Sequence, residues 1–120
     1  MEYTWDKFDE DVMKMKERIS SLWCKNIYGI PRGGLVLAVK LSYLTGIPLL
    51  LDKEKVTYDT LVVDDISDSG KTLKEFKEKG CIIFTIFYHK NTVTIPDFYL
   101  REKKDNWITF PWEEQSSSLF

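Results

Sequence analysis

Apolar residues along this chain fall in two rhythms. From residue 8 to residue 22 they recur as Phe8, Val12, Met15, Ile19 and Leu22, at spacings of four, three, four and three. That is the stripe of an amphipathic helix, with Asp6 placed to cap its start. Further on they come as short, nearly unbroken runs: "NIYGI" (26–30), "IPLLLD" (47–52), "TLVVDD" (60–65) and "CIIFTIFY" (81–88). Such runs suit strands buried on both faces, as in a parallel sheet. Leu35 to Leu44 is apolar on nearly every side and reads as a helix packed on that sheet, closed by Gly46. A third helix is expected from Thr72 to Lys79, ended by Gly80, and "PDFYL" (96–100) adds an edge strand.

Strands that alternate with helices indicate one α/β domain, residues 1–120, with a mainly parallel sheet flanked by helices. The tail "QSSSLF" (115–120) reads as frayed. In sheets of this kind ligands bind beyond the carboxyl ends of the strands. Two loops fall there and both open helices: "PRGG" (31–34) and "DDISDSGKT" (64–72). The topology sets them side by side on one rim.

Composition narrows the setting. The chain has 120 residues, of which 43% are hydrophobic, enough for one core. A net charge of −2 gives no basic excess to recommend nucleic acid, so any anion site must be local. No apolar run reaches the roughly 18 residues of a membrane span, and "MEYTWDKFDE" is too acidic for a signal peptide. Cys24 and Cys81 lack metal-ligand spacing and read as two buried thiols in a reducing cytoplasm.

The chemistry concentrates in residues 64–72. Asp64, Asp65 and Asp68 crowd the end of an apolar strand, where their mutual repulsion costs stability unless a ligand or metal resolves it. The turn after them is rich in small residues and opens a helix, so it offers backbone N–H groups and a helix dipole to a phosphate. Ser69 and Thr72 add hydroxyls, and Gly70 lets backbone come close. A triphosphate-binding loop of the form GxxxxGK[ST] is excluded, because Asp65 stands where its first glycine belongs. Adjacent carboxylates suit a sugar diol and a divalent ion instead. In "YGIPRGG", Arg32 supplies a charged fork, and Gly33 and Gly34 expose N–H groups at a helix start, a second phosphate site.

With its strand, "LVVDDISDSGKT" resembles the phosphoribosyl-pyrophosphate (PRPP) signature of type I phosphoribosyltransferases: an apolar strand, two acids, then D-[ST]-G-x-T. "GIPRGGLVLAVKLSYLTGIPL" is similar to their pyrophosphate loop and following helix. Three further stretches look most like the bacterial xanthine-guanine members: "YTWDKFDEDVMKMKERI" their opening helix, "FTIFYHK" the strand before the purine site, "DNWITFPWEE" the purine-binding segment. The likeness spans Tyr3 to Glu113 and comes in the family's order.

The resemblance implies a purine phosphoribosyltransferase, with a 6-oxopurine the leading base, Mg²⁺ as cofactor and a homodimer as assembly. It implies that Asp64 and Asp65 hold the ribose hydroxyls of PRPP, with Asp65 at the metal. Asp68 would be catalytic, close to the purine N7 and the anomeric carbon. Asp68, Ser69, Gly70, Lys71 and Thr72 would bind the 5′-phosphate, while Arg32, Gly33 and Gly34 take pyrophosphate. Trp107 would stack on the purine and Ile108 contact it through its backbone. The lysine that donates to the purine oxo group corresponds to Lys90, or by strict counting to His89. Phe110 and Trp112 are assigned to packing.

One departure is large. Where the family has a long flexible loop that closes over PRPP, this chain has only "DKEKVTYDT" (52–60). Lids exclude water from reactive intermediates. A non-catalytic PRPP- or nucleotide-binding module, or a transferase acting on another base, therefore stays open beside the purine enzyme.

Overall fold

The helices are α1 (Trp5–Ile19), α2 (Gly33–Thr45) and α3 (Lys71–Glu78), and the strands are β1 (Asn26–Gly29), β2 (Leu49–Leu50), β3 (Thr60–Ser67), β4 (Ile82–Tyr88) and β5 (Phe98–Glu102). The computed structural model describes residues 1–113, so the tail expected to fray lies outside them. The five strands form one sheet in the order β2-β1-β3-β4-β5, and every pairing is parallel.

Helix α1 buries the stripe read from the sequence: Phe8, Val12, Met15 and Ile19 are in the core, while Leu22 lies past the helix end. Its cap is Thr4, not Asp6. The extended backbone of Thr4 lets its hydroxyl accept the Lys7 N–H (3.2 Å), and Asp6 falls in the first turn, where its charge opposes the helix dipole favourably. Helix α2 ends at Gly46, whose φ of 76° is the left-handed conformation expected of it.

The strands differ from expectation mostly in length. β2 pairs through only two residues, Leu49 and Leu50, as befits an edge. β3 runs past Asp65 to Ser67, because β4 continues beside it and the ladder extends to Ser67↔Tyr88. The acids at 64 and 65 therefore belong to the strand, and the loop proper begins at Asp68. β5 starts at Phe98 rather than 96, since Asp97 turns its carboxylate back to accept the Ile83 N–H (2.8 Å).

Two hydrophobic layers enclose the sheet. On one face α1 and α2 pack with Ile27, Leu61, Val63, Phe84 and Ile86, joined by Ile108 and Phe110. On the other, α3 sets Leu73 and Phe76 against Tyr28, Val62 and Ile83. Val56, from the connection after β2, is buried in this second layer. Cys24 and Cys81 are both unpaired; Cys81 is buried and Cys24 half-buried, and burial pushes both thiols up. Among the described residues no helix is long and apolar enough to cross a membrane.

Candidate functional site

The carboxyl ends of β1 and β3 carry the two loops singled out in the sequence, and the fold brings them together. After β1 the chain stays on β3 through Ile30, whose N–H donates to the Val63 carbonyl (3.1 Å). The Pro31–Arg32 peptide is cis, and Arg32 is exposed at the start of α2. A Cβ at Gly34 would lie 2.7 Å from the Val63 carbonyl oxygen and 3.0 Å from Asp64 Cα. Only glycine lets α2 begin so near the acids.

Asp64 and Asp65 are half-buried where β3 emerges. Asp64 Oδ1 accepts the Asp65 N–H (2.8 Å), which turns this carboxylate back along its own chain. Burial, and after it the charge of Asp65, pushes the Asp64 carboxyl well above the ordinary carboxylate range. Burial raises Asp65 too, against the hydrogen bond from Asp64, the Ile66 N–H and the indole of Trp112, each of which favours its charge. Without a ligand, this pair holds a proton more readily than surface acids do. That answers how the crowding is tolerated.

The next turn is held by the connection that follows β4. Gly70 adopts φ 81°, and a Cβ there would collide with Thr92, Val93 and Thr94. These threonines form a buried clamp. Thr94 Oγ1–H donates to the Gly70 carbonyl (2.6 Å), the Val93 N–H to the Ser69 carbonyl (2.9 Å), and the Ser67 hydroxyl to the Thr94 carbonyl (2.7 Å). Ser69 Oγ accepts the Lys71 N–H (3.4 Å) at the first turn of α3. A cleft of about 320 Å³ is lined by Arg32, Gly33, Asp64, Asp65, Asp68, Ser69, Gly70 and Thr72. Gly34 lies beneath it, and Lys71 is exposed at the helix start. A second hollow of about 540 Å³ shares Arg32, Gly33 and Asp65 with the first and adds Val36, Trp112 and Glu113.

Trp112 thus does more than pack. Its ring stacks on Phe110 at 5.1 Å, and its indole lies beside the Asp65 carboxyl at Gly33 and favours the charged form of that acid. Phe110 is buried packing, as expected.

Toward β5 the arrangement is different. Trp107 is 74% exposed, and Ile108 has its side chain in the core. Lys90 is exposed, and the half-buried His89 accepts the Asn91 N–H at Nδ1 (3.1 Å), turned into its own loop. Neither lines the cleft. The cation that meets the site here is Lys103, absent from every motif in the sequence. Its ammonium pairs with Asp68 Oδ2 (3.0 Å) and lies 5.8 Å from the centre of the Trp107 ring. Lys103 follows the carboxyl end of β5, on the rim where ligands of such sheets bind, but its contact with Asp68 joins residues 35 apart that no motif links. Thr92 and Thr94 left a fainter trace, two alternating threonines in a connection.

No protein-family model matches the sequence. Solved structures do. The purine phosphoribosyltransferase of Pyrococcus horikoshii superposes with a TM-score of 0.83 at 30% identity, over 97% of this chain and 95% of that one. A xanthine-guanine-hypoxanthine phosphoribosyltransferase of Helicobacter pylori gives a TM-score of 0.78 at 20% identity, over 93% and 92%. A hypothetical protein from Neisseria gonorrhoeae, solved with bound ppGpp, gives 0.70 at 19%, over 98% and 90%. The last two share the fold. The first, matched over almost its whole length, shows that the chain belongs to the phosphoribosyltransferase family, with its type I fold.

Proposed function

We propose that this protein is a purine phosphoribosyltransferase that transfers the 5-phosphoribosyl group of PRPP to a purine, a 6-oxopurine by preference, and releases pyrophosphate. The observation that carries this reading is the single cleft in which Arg32 and Gly33, the Asp64–Asp65 pair and the 68–72 turn face one another. Such a cleft matches a sugar bearing an anion at each end. In this reading the 5′-phosphate sits on the amides and hydroxyls of residues 68–72, the ribose hydroxyls donate to Asp64 and Asp65, and pyrophosphate lies by Arg32, Gly33 and Gly34.

Two adjacent carboxylates with raised proton affinity and no basic partner among the described residues suit Mg²⁺, with Asp65 as the nearer ligand. No group of three or more His, Cys, Asp or Glu gathers among the described residues, so an ion held by Asp65 would need substrate oxygens and water to complete its shell. Bound there, it would neutralise charge on the departing pyrophosphate. In the reaction a purine ring nitrogen forms a bond to the anomeric carbon as the bond from that carbon to pyrophosphate breaks, and the base gives up one proton. The resemblance gives that proton to Asp68, which lines the cleft, and carboxylates beside the ribose favour an oxocarbenium-like transition state. Trp107 stacks on the base, the Ile108 backbone meets its edge, and the resemblance offers Lys90 or His89 for its oxo group.

A homodimer belongs to this reading. Trp5, Val36, Val39 and Tyr43 line a groove between α1 and α2, with Asp9 on one helix and Lys40 on the other. Asp9 and Lys40 form no ion pair among the described residues. A two-fold contact would set each copy's Asp9 against the other's Lys40 across an apolar seam.

The test is incubation with PRPP, Mg²⁺ and each of guanine, hypoxanthine, xanthine, adenine and uracil, with nucleotide and pyrophosphate measured. Nucleotide from a 6-oxopurine is the expected result. PRPP binding without transfer to any base would support the second reading, a binding module, which the short, docked connection after β2 favours.

A further inference from the structure

Lysine is ordinarily among the most exposed residues, yet the side chain of Lys103 is only 15% exposed. Its backbone N–H donates to the Tyr88 carbonyl (2.8 Å), which fixes its origin between the ends of β4 and β5. From there the stem carries the ammonium to Asp68 Oδ2, 3.0 Å away, and over the Trp107 ring at 5.8 Å. Asp68 is itself half exposed and stands in the cleft wall, so it needs no partner to be tolerated. The pair therefore offsets the burial of the Lys103 ammonium and answers no need of Asp68. It is an arrangement of three groups, carboxylate, ammonium and indole, around one spot on the rim. Lys90 and His89 make no such approach.

We infer that Lys103 is the cationic residue of the base side: it positions Asp68 through their ion pair and, with Trp107, selects a base whose exocyclic group accepts a hydrogen bond. An ammonium has three donors and no acceptor. A purine stacked on Trp107 beside it is matched when it presents an exocyclic oxo group and mismatched when it presents an amino group, since donor then meets donor. A site built to hydrogen-bond a substrate group discriminates far better than one that measures shape. This inference rests on the purine-transfer reading and moves the oxo-reading role from Lys90 or His89 to the residue that follows β5.

The experiment is titration of the full chain, and of Lys103→Met, Lys103→Arg and Lys90→Met, with IMP and AMP in the presence of Mg²⁺, with thermal melting as a check on folding. The unchanged protein should bind IMP more tightly than AMP. Lys103→Met should weaken IMP by about tenfold to a hundredfold, the range for a hydrogen bond to a charged group, and leave AMP within about threefold. Lys103→Arg should recover part of the loss, and Lys90→Met should change neither nucleotide by more than about threefold. Equal losses for IMP and AMP in Lys103→Met, no loss, or the selective loss in Lys90→Met instead, would each overturn the inference. If the unchanged protein binds neither nucleotide, the purine-transfer reading fails and this inference fails with it.

Discussion

Thr94 donates its hydroxyl hydrogen to the carbonyl of Gly70 (2.6 Å), and so fixes the left-handed turn that opens α3 from a connection two elements away in the chain. The contact is buried at both ends, and Thr92 and Ser67 continue it into the sheet. The loop after β3 is thus held by the loop after β4. Whatever binds at residues 68–72 draws on both.

Thr94→Val keeps the shape of the side chain and leaves the Gly70 carbonyl without its partner. Losing a buried hydrogen bond of this kind costs about 1–3 kcal/mol. We expect a folded variant with a lower melting temperature and PRPP affinity reduced at least severalfold. Calorimetry and PRPP titration measure both. Unchanged PRPP affinity in a destabilised variant would mean that the clamp serves the fold alone.

Asp64 provides a pH test with a definite sign. Its carboxyl sits well above the ordinary value of 3.8 because burial and the charge of Asp65 oppose ionisation. Between the ordinary value and the raised one, the folded chain keeps a proton that the unfolded chain has lost. Stability therefore falls as pH rises through that window, and it is not recovered above it. Asp64→Asn should flatten this dependence. At neutral pH it should raise the melting temperature of the ligand-free protein by a few degrees, about 1 kcal/mol in a domain of this size. It should also abolish PRPP binding. A variant less stable at pH 7 than the parent would show that the carboxylate holds the strand end together.

Gly33 lies against the acid pair. A Cβ there would fall on the Asp65 carboxylate and come within 3.0 Å of Trp112 Nε1. Gly33→Ala should leave α2 intact, because alanine favours a helix. It should displace the Asp65 side chain and weaken PRPP binding tenfold or more. Circular dichroism together with PRPP titration separates the two effects.

The groove between α1 and α2 leaves Tyr43 85% and Val39 50% exposed. Large apolar side chains grouped on one face mark interaction surfaces. We expect sedimentation to give a dimer, and Val39→Glu with Tyr43→Glu to give a folded monomer. A wild-type monomer at micromolar concentration would refute the two-fold seam.

Much of this was legible in the sequence because it was local. The α1 stripe, the Gly46 cap and the two loops each follow from neighbouring residues, and parallel strands with helical crossovers leave those loops little choice of rim. Asp6 was mistaken for the cap because Thr4 and Asp6 both carry suitable oxygens, and only the backbone conformation chooses between them. The length of β3 depended on how far β4 ran beside it, a fact about another segment. Lys103 and Thr94 were invisible for a similar reason. Their partners, Asp68 and Gly70, lie 35 and 24 residues away, and no spacing encodes a contact made by folding.

The connection after β2 bears on rate. A lid must leave its resting place and cross the cleft, closing the site over a forming oxocarbenium ion and excluding water. Here residues 51–59 are short and also fastened down. Val56 is buried against the α3 layer, Lys53 pairs with Glu75 of α3 (2.6 Å), and the Cys81 thiol donates to the Thr57 carbonyl (3.2 Å). The surface ion pair adds little, but burying Val56 holds the segment to the face of the sheet away from α1 and α2. A chain so anchored cannot sweep over PRPP without losing that packing. We therefore expect PRPP to bind, transfer to purine to run well below the ~10 per second common among enzymes, and water to compete, releasing ribose 5-phosphate. Replacing residues 53–59 with a longer, polar loop should raise the ratio of transfer to hydrolysis while lowering stability through the loss of Val56. Product analysis from a single incubation with PRPP and hypoxanthine reads that ratio. Transfer at ordinary rates without ribose 5-phosphate would mean that the cleft excludes water by other means, and the groove between α1 and α2, which shares Val36 with the hollow beside Asp65, is then the place to look.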